Sequence, residues 1–175
     1  EIPFVVHGHG LDVFFDVSYK DAPNCKKISE VCRRVYEQAN AIAGVSQKVL
    51  NYIQERVDIR DKGYVVYNGV DTTKFYPVSE KVYILSVGNL IALKGHDDTI
   101  KAFAELVNSG VTDVRLKIAG RGPLEIELKD LVERLGISNY VDFLGYVPYE
   151  KIAELMRNAR LFCLPSWYEA LGCVY

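Results

Sequence analysis

The first segment that could do chemistry, residues 88–95, begins and ends with glycine and carries Lys94 just before Gly95. Glycine lets the main chain approach a ligand closely, and an ammonium group beside the start of a helix favours a phosphate. The segment is compatible with a phosphate-binding turn, although taken alone it is modest evidence for one. The alternative interpretation is that Lys94 is an ordinary solvated charge at the end of a loop.

A second glycine-rich segment, Gly120-Arg121-Gly122-Pro123, follows another apolar run. Pro123 suits the first position of a helix, where its missing N–H costs nothing. A G-x-G pair without the rest of a dinucleotide-binding fingerprint is weak evidence for a ligand. In isolation the segment favours a tight turn, and a ligand-binding role stays open.

A third segment, residues 165–172, places Glu169 between an apolar strand and the expected first turn of a helix that includes Leu171 and Gly172. A carboxylate there can accept hydrogen bonds from sugar hydroxyls, and free N–H groups at a helix start can receive a diphosphate. An equally good interpretation is that Glu169 is only a favourable charge in a helical first turn.

The fourth segment contains His7, His9 and Asp12 at the end of the first apolar run. A catalytic histidine, a metal ligand and an ordinary loop histidine are all compatible with it. A spacing of two residues on an extended chain points the two imidazoles to opposite sides, which argues against joint metal binding.

The composition excludes several classes of function. Lys and Arg number 21 against 23 Asp and Glu, so the net charge of -2 lacks the basic character of a nucleic-acid-binding protein. The four cysteines contain no C-x-x-C pair, which predicts a reducing compartment and no structural metal. The apolar runs are far shorter than the roughly 20 residues of a membrane-spanning helix.

Strand-like and helix-like segments alternate along the chain, the pattern of βαβ units. The strands are near-continuous apolar runs, typical of buried parallel strands, and an apolar stripe marks the helix after Gly95. We therefore predict a doubly wound α/β fold, which binds ligands at the carboxyl ends of its strands. The predicted strands are 2–7, 41–45, 63–67, 82–87, 114–119, 140–143 and 161–164, and the predicted helices are 28–39, a helix capped by Ser46, 96–109, 123–135 and one from Pro148.

A polar, proline-flanked connection at residues 78–81, just after Pro77, indicates a domain boundary. We place one domain at residues 1–78 and a second at 79–175. The first residues already look like a buried strand and the last like an unfinished helix, so we expect both ends to be cuts in a longer protein.

Taken together and in order, these segments resemble the glycosyltransferases of family four. The resemblance covers nearly the whole chain. It rests on seven segments: His9 to Asp12, Ala41 to Ser46, Asn68 to Asp71 with Phe75 to Pro77, Val87 to Gly95, Gly120 to Pro123, Val141 to Val147, and Pro165 to Gly172.

The resemblance implies the GT-B architecture, in which two Rossmann-like domains each have a doubly wound parallel sheet. Residues 1–78 would then be the carboxyl-terminal part of the acceptor-side domain. Residues 79–175 would be the domain that binds the nucleotide-sugar donor, and both domains would be incomplete.

The resemblance also implies a role for each matching residue. His9 would lie beside the transferred sugar, Lys94 would bind the donor phosphates, and Glu169 would contact sugar hydroxyls as the first acid of the family's paired-acid motif. The remaining donor-binding residues would be Gly88 and Asn89 at the phosphate turn, Gly120 and Gly122 at the pocket floor, Tyr146 and Val147 near the nucleobase, and Leu171 and Gly172 with main-chain N–H groups at the diphosphate.

The chain departs from the family pattern at one donor-binding position. Asn89 stands where the family usually has an arginine that pairs with Lys94 on the diphosphate. An amide can bond a phosphate oxygen but lacks the charged, two-pronged contact of arginine. The second acid of the paired motif would fall beyond Tyr175.

The implied reaction transfers a hexose-type sugar from a nucleoside diphosphate sugar to an acceptor hydroxyl with retention of anomeric configuration. The resemblance implies no metal and no other cofactor, a glycan, lipid or small-metabolite acceptor, and a cytoplasmic location with peripheral membrane contact left open. We expect these 175 residues alone to be inactive. A nucleotide-sugar binding module that has lost catalysis and a GT-B sugar-nucleotide epimerase are the alternative functions.

Overall fold

The structure, a computed structural model, describes residues 2–9, 25–76, 78, 82–169, 171–172 and 174. It divides into two compact units. The first contains residues up to Gly69 together with segment 169–173, and the second contains residues 70–168 with 174–175. Of the residues that the sequence pattern assigns to the first domain, 70–76 and 78 are grouped with the second unit.

The first unit contains a parallel sheet of three strands in the order β1-β2-β3. Ser46 begins the second helix by accepting a hydrogen bond from the N–H of Val49, as the cap prediction requires. That helix buries Val49, Leu50 and Ile53. The elements are β1 (Val5–Gly8), α1 (Cys25–Gln38), β2 (Ala41–Gly44), α2 (Gln47–Gln54) and β3 (Gly63–Val65).

The second unit contains a parallel sheet of four strands in the order β6-β5-β4-β7. The chain moves outward from β4 through β5 to β6 and then returns to place β7 on the other side of β4. The elements are β4 (Tyr83–Val87), a 3-10 turn (Ala92–Lys94), α3 (His96–Asn108), β5 (Arg115–Ala119), α4 (Glu125–Arg134), a 3-10 turn (Ser138–Tyr140), β6 (Val141–Gly145), α5 (Tyr149–Asn158) and β7 (Ala159–Phe162).

The core of the second unit lies between the sheet and its helices. Ile100, Phe103 and Ala104 of α3 are buried, which confirms the predicted apolar stripe. They pack in one cluster with Leu116 and Ile118 of β5. Burying a side chain of the size of Ile or Phe contributes about 1.5–3 kcal/mol. This cluster therefore stabilises the sheet from which the loops extend.

Every predicted strand is present, and both sheets are parallel, which confirms the α/β fold class. The bounds of β1 and β7 differ from the prediction, since β1 starts at Val5 rather than at residue 2 and β7 starts at Ala159 rather than at residue 161. The pairing explains the shift in β7, because Ala159 lies opposite Tyr83 at the start of β4. Pro123 also precedes helix α4 by two residues, as part of a turn closed by a hydrogen bond from the N–H of Glu125 to the Gly122 carbonyl.

The predicted first helical turn at the end of the chain is wrong at the residues that the structure describes there. Neither Leu171 nor Gly172 is helical. Gly172 has a φ of 67°, in the left-handed region, which a residue of a right-handed helix does not adopt. The expected N–H groups of a helix start are therefore not formed by these two residues.

Three further properties bear on the class of protein. Within the described ranges no helix is both long and apolar enough to cross a bilayer. Cys32 and Cys163 carry thiols rather than forming halves of a disulfide. No group of three or more His, Cys, Asp or Glu side chains capable of holding a metal ion occurs among the residues described.

Candidate functional site

The strand order of the second sheet marks the place where a ligand is expected. Successive connections run outward from β4 on one side, and β7 lies on the other, so the sheet has a topological switch point between β4 and β7. In open α/β sheets, ligands bind outside the carboxyl ends of the strands at such a point. Gly88 and Asn89 follow β4, Gly120 follows β5 and Tyr146 follows β6 at this edge.

The loops after β4 and β5 are joined by main-chain hydrogen bonds. The N–H of Leu90 donates to the Arg121 carbonyl at 3.0 Å, and the N–H of Leu124 donates to the Leu90 carbonyl at 3.1 Å. A Cβ on Gly120 would lie 1.9 Å from the Gly88 oxygen, and one on Gly122 would lie 2.4 Å from the Leu90 oxygen. Both glycines are therefore required for the close approach of these two loops, which puts Gly88, Gly120 and Gly122 together at the sheet edge.

The turn that carries Lys94 is held by the loop after β7. The N–H of Trp167 donates to the Leu93 carbonyl at 2.9 Å. Gly95 has a φ of 64°, and a Cβ there would lie 2.4 Å from the Pro165 oxygen. Lys94 itself is half-buried. The packing of these two loops fixes the main chain at Lys94. Lys94 belongs to the same loop as Gly88 and Asn89, which follow β4.

A buried polar cluster lies beneath this turn. Ser86 of β4 and His96 of α3 share a hydrogen bond of 3.1 Å between Oγ and Nδ1. The Thr99 hydroxyl donates to the Gly95 carbonyl at 3.4 Å and lies 3.7 Å from the sulfur of Cys163. The cluster links β4, α3 and the segment after β7, and it contacts the turn through the Gly95 carbonyl.

His96 is the buried group that the sequence analysis missed. Its Nε2 atom is buried without a hydrogen-bond partner among the described residues, and it lies 3.5 Å from the position of a Cβ on Gly88. Burial lowers the pKa of His96, and the main chain of Asn89 and Gly88 offsets part of this effect. The signals in the sequence were a serine inside the apolar strand β4 and a histidine at the first position of α3.

Ser166 adds a second unsatisfied atom at the same edge. Its hydroxyl is buried without a partner within the part of the chain that the structure describes. Unsatisfied buried polar atoms are rare and costly in folded proteins, and they concentrate where a ligand or function compensates for them. One of these two atoms lies at the start of α3 and the other in the loop after β7, and together they mark this edge as a candidate binding site.

The end of β6 forms the third part of the edge. The N–H of Gly120 donates to the Gly145 carbonyl at 2.8 Å, and Gly145 turns the chain with a φ of 64°. Tyr146 then projects with 66% of its surface exposed, while Val147 is half-buried. An exposed aromatic ring beside main-chain polar groups is suited to stacking a flat ligand.

Glu169, Leu171 and Gly172 group with the first unit. Each is half-buried. The neighbouring Tyr168 belongs to the second unit, and burial raises the pKa of its hydroxyl to about 12.

His9 follows β1 in the first unit. Its ring lies beside that of His7, with centroids 4.1 Å apart. The prediction that the two imidazoles point to opposite sides is wrong, because β1 ends at Gly8 and the alternation of an extended strand does not reach His9. Asp12 lies outside the described residues.

Two family models match the chain in succession: Glycosyl transferases group 1 over residues 72–175 and Glycosyltransferase Family 4 over residues 1–74. The chain is 30% identical to N-acetyl-alpha-D-glucosaminyl L-malate synthase of Bacillus anthracis, over 84% of this chain and 41% of the relative. The chain spans less than half the length of the curated relatives it matches.

Solved structures share the fold. Sucrose-phosphate synthase from Thermosynechococcus elongatus matches with a TM-score of 0.80 at 22% identity, over 99% of this chain and 47% of that one. HepE from Anabaena, in complex with UDP and glucose, matches with a TM-score of 0.74 at 21% identity, over 94% and 46% of the two chains. The GT-B fold expected from the sequence is confirmed. Because the group 1 model covers more than half of the chain, the protein belongs to the glycosyl transferases group 1 family.

Proposed function

We propose that the protein transfers a sugar from a nucleoside diphosphate sugar to an acceptor hydroxyl, with retention of anomeric configuration. The observation that carries the proposal is the edge of the second sheet. There the glycine turns after β4 and β5 pack closely against each other. Lys94 lies on a turn that packs against Pro165 and is hydrogen-bonded to Trp167. Exposed main chain and a cation suit a diphosphate, and HepE, which shares the fold, binds UDP.

Lys94 is the proposed cation at the departing diphosphate. In this scheme, fixed positive charge and main-chain dipoles stabilise the leaving group without a divalent metal. Activity should then persist in EDTA. For His9 and Glu169, the proposed roles beside the transferred sugar and at its hydroxyls derive from the matching family motifs.

The reaction can be tested by incubating the full-length protein with UDP-, GDP- and ADP-sugars and a panel of glycan, lipid and small-metabolite acceptors. Proton NMR of the product reports the anomeric configuration. Lys94→Ala should lower kcat/KM by about 100-fold or more, as removal of a charge-stabilising group does in other active sites. Lys151→Ala on α5, an exposed lysine, is the matched control and should retain activity. An inverted product would refute retention.

A nucleotide-sugar binding module that has lost catalysis is the second candidate, favoured by Asn89 in place of the usual arginine. Tight donor binding without transfer or donor hydrolysis would establish it. Restoring the cation with Asn89→Arg separates the two functions, because a working enzyme should gain activity whereas a module that lacks other catalytic groups should not.

A cytoplasmic location, with peripheral contact at the cytoplasmic membrane face, is also part of the proposal. The thiols of Cys32 and Cys163 are consistent with a reducing compartment.

A further inference from the structure

Arg121 lies at the carboxyl end of β5 with its side chain directed towards the end of β6. Its guanidinium carbon is 5.9 Å from the centre of the Tyr146 ring, within the range of roughly 6 Å for a cation–π contact. A Cβ on Gly145 would lie 3.9 Å from Arg121 Nε, so the arginine passes over the main chain of that glycine. Arg121 and Tyr146 are both exposed at this edge.

The main chain beneath the Arg121 side chain is fixed on both sides. Its carbonyl accepts the hydrogen bond from Leu90, and the preceding residue, Gly120, donates to Gly145. Gly122, the next residue, has no room for a side chain against Leu90. The main chain that carries the Arg121 side chain is therefore fixed, and the guanidinium lies at the sheet edge. A residue that recognises a ligand needs such a fixed main chain.

Arg121 makes no salt bridge within the described part of the chain, although its charge is a minor cause of the lowered pKa of Glu125. Glu125, one turn further along, pairs with Lys129 at 2.7 Å, and this hydrogen bond is the main cause of the lowered pKa of Glu125. By contrast, Arg33, Arg60 and Arg115 each pair with a carboxylate. A solvated arginine needs no ligand, but this one is opposite an exposed aromatic ring at the edge where ligands are expected.

We propose that Arg121 selects the nucleobase of the donor, favouring a base with a carbonyl oxygen at the pyrimidine 4-position or purine 6-position. This inference rests on the proposed function. A guanidinium only donates hydrogen bonds, so it matches the exocyclic oxygen of uracil or guanine and is opposed by the amino group of cytosine or adenine at the same position. The Tyr146 ring supplies a stacking surface for either class, and the fork of Arg121 supplies the discrimination.

The test is isothermal titration calorimetry of the protein with UDP, GDP, CDP and ADP. Arg121→Gln removes the positive charge and introduces an amide that both donates and accepts hydrogen bonds. Arg121→Lys keeps the positive charge but lacks the two parallel N–H donors of the guanidinium. Arg134→Gln, at the far end of α4, is the matched control for loss of one arginine charge.

We expect UDP or GDP to bind about tenfold or more tightly than CDP and ADP, the discrimination typical of an arginine contact to a base. Arg121→Gln should reduce this ratio to below about threefold, and Arg121→Lys should give an intermediate ratio. Arg134→Gln should leave the ratio unchanged.

Two results would overturn the inference while leaving the donor site intact: a ratio unchanged in Arg121→Gln, or ADP and CDP binding as tightly as UDP and GDP to the unaltered protein. Failure of the proposed function looks different. In that case none of the four nucleotides binds, or Lys94→Ala binds them as well as the unaltered protein does.

Discussion

At the scale of single residues, His96 makes stability depend on pH. Its imidazole is buried, and this burial lowers its pKa below the ordinary value of 6.5. Below pH 6.5 the unfolded chain therefore binds a proton that the folded protein takes up only at lower pH. The contribution of this group is complete above that value and falls as the pH drops, by at most about 1.4 kcal/mol per pH unit.

The measurement is the free energy of unfolding of the unaltered protein and of His96→Gln between pH 7.5 and pH 5.5 (roughly one unit either side of the ordinary histidine pKa). The unaltered protein should lose more stability across this range than the variant, because the variant lacks the titrating imidazole. Carboxylates titrate in both proteins, so their effect on the free energy of unfolding cancels when the two proteins are compared. Equal losses would mean that His96 is readily protonated in the folded state.

At the scale of elements, the turn before α3 depends on Gly95. An alanine there meets both a left-handed φ and the Pro165 oxygen at 2.4 Å. Gly136 has a φ of 70°, and a Cβ added to it would meet no atom within 4 Å, so it is the matched control for the strain alone. We expect Gly136→Ala to cost about 1 kcal/mol of unfolding free energy and Gly95→Ala at least about 2 kcal/mol more.

Chemical denaturation measures both variants. Nucleotide binding should also weaken in Gly95→Ala, since the turn that carries Lys94 has to move away from the loop after β7. It should be unaffected in Gly136→Ala. If the two alanines cost the same, the contact between Gly95 and Pro165 does not hold the turn.

The sequence predicts the strands well because buried parallel strands are long apolar runs, as in Tyr83–Val87. It also indicates Lys94 and the glycines of the edge. It could not predict that His7 and His9 touch, since this depends on where β1 ends. The pairing of Ser86 with His96 also escapes prediction, because residues on a strand and a helix meet only through the fold. The prediction of a helix at Leu171 was wrong. Glycine is compatible with both positive and negative φ, so the residue type of Gly172 does not determine its backbone conformation.

At the scale of the whole molecule, the three-stranded sheet exposes apolar side chains on an edge strand. Among the described residues β1 pairs only with β2, and Val5 is 66% exposed. A free strand edge with exposed apolar side chains is a template for association. The 175-residue chain should therefore self-associate as its concentration rises, and Val5→Lys should reduce this.

Light scattering across a concentration series checks this expectation. Gln47→Lys, which adds the same charge at an exposed polar position of α2, is the control and should associate like the unaltered chain. A chain that stays monomeric and unfolds cooperatively at every concentration would contradict it.

The carboxyl edge of the second sheet is the proposed binding site of a nucleoside diphosphate, and the proposed roles of Lys94 and Arg121 depend on it. Amide chemical-shift mapping by NMR tests this most directly, with UDP and GDP titrated into isotope-labelled protein. We predict that the largest shifts fall on Gly88, Asn89, Lys94, Gly120 and Gly122, the residues at that edge. Shifts concentrated elsewhere, or no shifts with either nucleotide, would contradict it.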